Sequence, residues 1–172
     1  QPFFAQVTEA TTHRTWKRDE ENPIDENDVE LPSYYPDTPL IRRDWANGLE
    51  QLQLADKTIG KMLQKLDEDG LRDNTLVILI GDNGRCMPRG KQFLYDGGIS
   101  IPLLMRWPGH IKPGTVCDDL VNTLDICKTI VDLAEVHPPH RLHGMNLFET
   151  AIRKRPYIFA TRDKMDDTHD AM

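Results

Sequence analysis

The apolar positions of this chain gather into a few strongly patterned runs, separated by long polar stretches. Residues 2–8 (PFFAQVT) alternate less than a half-exposed strand would, which predicts a strand buried on both faces. Residues 9–38 are polar, punctuated by Pro23, Pro32 and Pro36, and acidic in the middle. A connection of that length is expected to be a functional segment or a surface excursion. The clearest element follows. Thr38 can cap a helix, Pro39 suits its first position and Gly70 supplies a C-terminal stop. Between them Trp45, Leu49, Leu52, Ile59, Leu63 and Leu66 recur three, four or seven residues apart, which makes one apolar stripe. Asp56 interrupts the stripe and is expected to hydrogen-bond a neighbouring loop.

The run Leu76–Ile80 is continuously apolar, as a central parallel strand would be. A glycine-rich polar stretch over 81–98 comes next, then an apolar strand over 101–107 that Pro108-Gly109 ends. Residues 123–134 read as a helix with Thr123 as cap and Ile126, Ile130 and Leu133 inward, and Tyr157–Ala160 as a last short strand. The order β-α-β-β-α-β predicts an α/β fold. Its sheet should be twisted and mostly parallel, with helices on both faces and right-handed crossovers.

Composition narrows the picture. At 172 residues, 38% of them hydrophobic, the chain suits one domain and a folded state rather than a disordered one. No apolar run approaches the roughly 20 residues that span a bilayer. A net charge of -7 argues against a broadly basic nucleic-acid-binding face. The three cysteines, Cys86, Cys117 and Cys127, have no C-x-x-C spacing, so neither a disulfide framework nor a zinc knuckle is indicated. The chain opens on Gln1 with a core-like strand and nothing before it, which raises the expectation that it is part of a longer one.

Ligands of open α/β sheets gather beyond the carboxyl ends of the strands. Asp82-Asn83-Gly84 sits there, after the most apolar run. The adjacent carboxylate and amide offer hard oxygen ligands suited to calcium or magnesium, while Asn-Gly is equally a strong turn signal. Downstream, Arg85, Arg89 and Lys91 form a local basic cluster, and an ammonium beside a divalent cation would clamp a tetrahedral oxyanion. Gly97-Gly98 permits close backbone approach to a ligand, or is a turn. His13, a few residues after the first strand, would fall on the same sheet edge as Asp82 and could serve a leaving-group oxygen. His137, His140 and His143 lie in H-P-P-H-R-L-H, whose prolines forbid a helical metal-binding face and predict a loop. The mixed-charge tail from Arg162 to Asp167 reads as a solvated face.

Together these residues resemble the type I sulfatases of the alkaline phosphatase superfamily. The matching pieces are PFFAQVTEATTHR at 2–14, VELPSYYPDTP at 29–39, the helix with RRDWANGLEQLQLADKTIGKML, NTLVILIGDNGRCMPRGKQFLYDGG at 74–98, IPLLMRWPG at 101–109 and DLVNTLDICKTIVDLA at 119–134. The D-N-G followed by a basic residue and Y-D-G-G carries most of the specificity, and the THR and PRGKQFLYDGG segments are most similar to the heparan N-sulfatase branch. The resemblance implies an alkaline-phosphatase-like fold, incomplete here at its N-terminal side, with residues 1–172 forming the C-terminal part of a catalytic domain. It implies calcium held in part by Asp82 and Asn83, and catalytic roles at the sulfate and leaving oxygen for Lys91 and His13. It further implies hydrolysis of a sulfate ester or N-sulfate on a sugar, in a family often periplasmic, secreted or lysosomal.

Family sulfatases use a formylglycine made from C/S-x-P/A-x-R, and no such segment occurs in these residues. Cys86-Met87-Pro88-Arg89-Gly90 places its arginine one position early. Two alternatives stand beside the sulfatase reading: a phosphodiesterase or phosphonate hydrolase of the same superfamily, and a non-catalytic truncated remnant. This chain alone is expected to be inactive and poorly stable as a monomer, because a broken sheet would leave an apolar, unpaired edge.

Overall fold

The computed structural model describes residues 2–162. The sequence divides into two units. The first comprises Gln1–Ile78 with Met105–His110, and the second Leu79–Leu104 with Ile111–Met172. The mixed-charge stretch from Asp163 onward lies outside the described residues.

The first unit is organised by α1, Pro39–Glu68. The Thr38 hydroxyl accepts the Ile41 N–H at 3.4 Å, and Pro39 occupies the first turn, where its missing N–H removes no bond. At the other end Gly70 takes φ +69°, and the Leu71 N–H returns to the Leu66 carbonyl at 2.9 Å, so the helix stops where the sequence predicts. The stripe is less buried than its spacing suggests. Leu52 is exposed, whereas Ala46, Glu50, Gln51 and Ala55 are buried.

The reason is what covers the helix. The polar segment 12–30 lies along α1 as a strap, and its backbone rather than an apolar surface faces the helix. Glu50, fully buried, accepts the N–H groups of Asp19 at 2.8 Å and Ile24 at 2.9 Å, while Arg18 approaches its second side at 3.5 Å. Gln51 donates to the Lys17 carbonyl, Lys57 to Asp19 and Glu21, and Arg43 to Glu26. Arg42 closes the strap by donating to the carbonyls of Glu26, Asn27 and Val29 while gripping Asp37. Asp19, Glu21 and Glu26 of the strap are thereby engaged with cations of α1. Asp56 is exposed, so the residue expected to tie helix to loop is not the one that does. Glu50, six positions earlier, takes that part.

The strands β1 (Val77–Ile80) and β2 (Leu103–Arg106) form an antiparallel two-stranded ladder, extended by a bond from the Gly81 N–H to the Pro102 carbonyl at 3.1 Å. These are the runs predicted at 76–80 and 101–107, shortened at the ends. Residues 2–8 and 157–160 are not strands. Each remains irregular, with Phe3, Phe4, Val7, Tyr157 and Phe159 exposed, because among the described residues neither has a neighbouring strand to satisfy its N–H and C=O groups. No parallel pair occurs among the described residues.

The second unit contains α2 (Asp96–Ile99) and α3 (Thr123–Leu133). Asn122, not Thr123, caps α3. Its side chain accepts the Leu124 N–H at 3.0 Å, and Asp125 returns the favour by accepting the Asn122 N–H at 2.7 Å. Asp125 is fully buried and also accepts the Met145 N–H at 2.8 Å and both arms of Arg155, at 2.7 and 2.8 Å. Thr129, equally buried, donates to the Asp125 carbonyl and accepts the Leu147 N–H. Ile126 and Ile152 supply buried apolar surface in this unit. Residues 136–143 with the three histidines form an exposed loop, as the prolines predict. No helix among the described residues is long and apolar enough to cross a membrane.

Two predictions follow from these carboxylates. Glu50→Ala orphans two backbone donors and should lower unfolding stability by about 1–3 kcal/mol, whereas Asp56→Ala should stay within about 0.5 kcal/mol. Denaturant midpoints of the two variants check the contrast. Burial pushes the Asp125 carboxyl up, but Arg155 and the N–H groups of Met145 and Asn122 outweigh it and hold it below its ordinary value. A lowered carboxylate contributes stability in full above about pH 4 and loses it as pH falls through the lowered value. Arg155→Met should therefore cost about 3 kcal/mol near neutrality and flatten the acid limb of a pH–stability curve.

Candidate functional site

The β1 run ends at Gly81, and the next two residues are Asp82 and Asn83, the first exposed and the second half-buried. Gly84 then turns the chain into a closed segment. Its N–H donates to the Gly98 carbonyl at 3.1 Å, tying the entry of the segment to its exit. Inside, the Arg85 carbonyl accepts the N–H groups of Met87 at 2.8 Å and Lys91 at 2.7 Å, and Gly90 bonds back to Met87 at 2.9 Å. Met87 is buried. Lys91 is half-buried at its far side.

The glycines of this segment are there for want of a side chain. A Cβ on Gly90 would be driven into the Arg85 carbonyl, and one on Gly98 into the carbonyls of Phe93 and Gly90. The close approach that Gly97-Gly98 permits is thus to the chain's own backbone. Arg89 and Gln92 take the left-handed region, at φ 62° and 73°, to complete the closure.

Lys91 thus lies inside the glycine-closed segment and Asp82 and Asn83 immediately precede it, all three in the second unit. His13 belongs to the first unit. It is exposed in the turn where its N–H donates to the Ala10 carbonyl at 3.0 Å, and its Nδ1 lies 2.6 Å from the Arg14 carbonyl. With Nδ1–H donating there, Nε2 is the nitrogen turned to other partners. Among the described residues no three His, Cys, Asp or Glu side chains gather as a metal site. Sequence reasoning missed the aromatic partners of the basic cluster. The Arg89 guanidinium lies over the Tyr95 ring, 4.8 Å from its centroid, a contact that alternate spacing in R-G-K-Q-F-L-Y hints at but cannot establish.

With that geometry in view, comparison with known proteins is decisive for the class. The sulfatase family model matches residues 1–136, and the chain belongs to the sulfatase family. Membership carries with it an alkaline-phosphatase-like α/β fold. The chain is 30% identical over 143 residues to an ulvan-active sulfatase of Formosa agariphila, covering 83% of this chain and 24% of that protein. It is 36% identical over 119 residues to human N-sulphoglucosamine sulphohydrolase, covering 68% and 24% respectively. It is 34% identical over 115 residues to human N-acetylgalactosamine-6-sulfatase, covering 58% and 22%. The chain thus spans about a quarter of the length of these relatives.

The closure of the segment is testable by itself. Gly90→Ala should displace the Arg85–Lys91 loop and accelerate amide exchange at Lys91, whose N–H the closure holds. Gly60→Ala, with open space around its added methyl, should leave that exchange unchanged and be neutral or stabilise α1 by up to about 1 kcal/mol.

Proposed function

We propose that this chain carries the downstream portion of a sulfatase catalytic domain, whose reaction is hydrolysis of a sulfate ester or N-sulfate on a sugar. The observation that supports the reading is the match of residues 1–136 to the sulfatase model, in a chain where Asp82 and Asn83 directly precede the closed loop that bears Lys91. A hard oxyanion such as sulfate needs concentrated positive charge, and the segment supplies it from Lys91 and from a metal held in part by its neighbours.

The donor set suits a hard cation. A carboxylate and an amide oxygen on consecutive residues favour calcium over zinc, and calcium there would polarise a sulfate oxygen. Asp82 and Asn83 would hold it. They are two donors where calcium takes about 6–8, so other ligands complete the shell. Lys91, on a backbone fixed by its bond to Arg85, sets an ammonium against the sulfate and the departing oxygen. His13, in the first unit, is assigned a catalytic role of its own, as a side chain whose Nε2 could deliver a proton to a leaving-group oxygen. The nucleophile of the family, a formylglycine, has no precursor motif among these residues, and we assign it to another part of the domain.

Two outcomes test the reading. Calorimetric titration of the 172-residue chain should show weak calcium binding, no tighter than about 10⁻⁴ M for so small a ligand set, and Asp82→Ala should abolish it. Sub-micromolar affinity, or binding indifferent to Asp82, would move the metal elsewhere. The same chain should not turn over an aryl sulfate, since removing the nucleophile of a covalent mechanism lowers kcat by about 10⁶. Turnover near that of an intact sulfatase would refute the assignment of the nucleophile.

A further inference from the structure

Asn83 and Gly84 form a dipeptide with a chemistry of its own. The backbone nitrogen that follows an asparagine can attack that residue's side-chain carbonyl, and a glycine, having no Cβ, leaves this nitrogen unshielded. The fold does not permit a bulkier residue here. A Cβ on Gly84 would be driven into the Gly97 carbonyl and the backbone of Gly98. The chain therefore keeps a chemically labile link at the entry of its closed segment.

One hydrogen bond stands against the reaction. The Gly84 N–H donates to the Gly98 carbonyl at 3.1 Å, and that nitrogen must lose its proton before it can attack. Loss of an amide proton held in such a bond waits for the bond to open, as it does in hydrogen exchange. The Asn83 side chain is half-buried, and among the described residues no hydrogen bond fixes its amide. Protection thus falls to the backbone. Gly98 is itself held in place by close packing, since a Cβ there would enter the carbonyls of Phe93 and Gly90. The chain's other Asn-Gly pair, Asn47-Gly48, lies within α1, where the helical ladder engages the nitrogen and Trp16 packs on the glycine. A different element guards that pair, which makes it an internal reference.

We infer that Asn83 is a site of spontaneous deamidation, gated by the closure that joins Gly84 to Gly98. When the loop opens, the Gly84 nitrogen gives its proton to solvent and bonds to Cγ of Asn83. The Cγ–Nδ2 bond breaks, and the side-chain nitrogen takes up a proton and leaves as ammonia. Water then opens the resulting succinimide. Addition at Cγ gives an aspartate, whereas addition at the main-chain carbonyl gives an isoaspartate whose backbone runs through Cβ and Cγ. Either product puts a carboxylate where the amide stood, and the second also lengthens the main chain at the loop entry. The inference goes beyond the sulfatase reading and does not depend on it.

The 172-residue chain, aged at neutral pH and mapped by peptide mass spectrometry, provides the test. Asn83 in the folded chain should convert at least about tenfold more slowly than in the urea-unfolded chain. Gly98→Ala should raise the Asn83 rate towards the unfolded one while Asn47 stays slow. The wild-type chain supplies a second measurement that holds even if this variant unfolds as a whole. Across sub-denaturing urea, Asn83 conversion should rise in proportion to amide exchange at Gly84, with Asn47 unchanged. A folded-chain rate equal to the unfolded one, or conversion that does not follow Gly84 exchange, would each overturn the gate. So would a folded Gly98→Ala chain in which Asn83 converts no faster than in wild type. The sulfatase reading fails separately, through calcium binding indifferent to Asp82→Ala, and that result leaves the deamidation rates as they are.

Discussion

A carboxylate buried on a helix and filled by backbone N–H groups is the interaction on which both units depend. Glu50 in α1 gathers the N–H groups of Asp19 and Ile24, and Asp125 in α3 gathers those of Asn122 and Met145. Neither acid has exposed surface. A carboxylate so placed would be strongly unfavourable without partners, and becomes a fixed point once its oxygens are filled. Each unit can then lay an irregular polar segment on a helix with little apolar burial. Small residues make room where the strap lies closest, as at Gly48, where the Trp16 ring would stand 3.0 Å from an added Cβ.

The segment after β1 is built by a different rule with a similar result. Three glycines let backbone pack on backbone, and carbonyls rather than side chains close the loop. Lys91, on such a loop, is positioned through its own main chain. The acidic overall charge of the protein is compatible with an anionic ligand for this reason. Asp19, Glu21 and Glu26 of the strap are engaged with Lys57 and Arg43 in the first unit, and Asp37 beyond it with Arg42, while the run from Arg85 to Tyr95 carries cations alone. Net charge describes the whole chain, and a site responds to what stands next to it.

Much of this was legible in the amino-acid order. Thr38, Pro39 and Gly70 delimit α1 to within two residues, since capping and a left-handed C-terminus are decided by neighbours in the chain. The continuous apolar run at 76–80 and its stop at Gly81 locate β1 and therefore the place of Asp82 and Asn83. The sulfatase family, too, is carried by local motifs, and comparison with known proteins upheld it.

What only the tertiary structure decided concerns partners distant in sequence. Residues 2–8 have strand composition, yet a strand exists only against a neighbour, and without one among the described residues the segment stays irregular. Asp56 and Glu50 are both acids on one helix, and helical periodicity singles out the first. The strap, which arrives from 26 to 31 residues away in sequence, selects the second because its N–H groups come to rest there. Likewise, the spacing of Arg89 and Tyr95 permits many arrangements, and the closure of the loop through Arg85 and Lys91 leaves the one in which cation meets ring. Short-range sterics and capping act between adjacent residues and can be read along the chain. Burial and pairing are set by whatever the rest of the fold brings into contact.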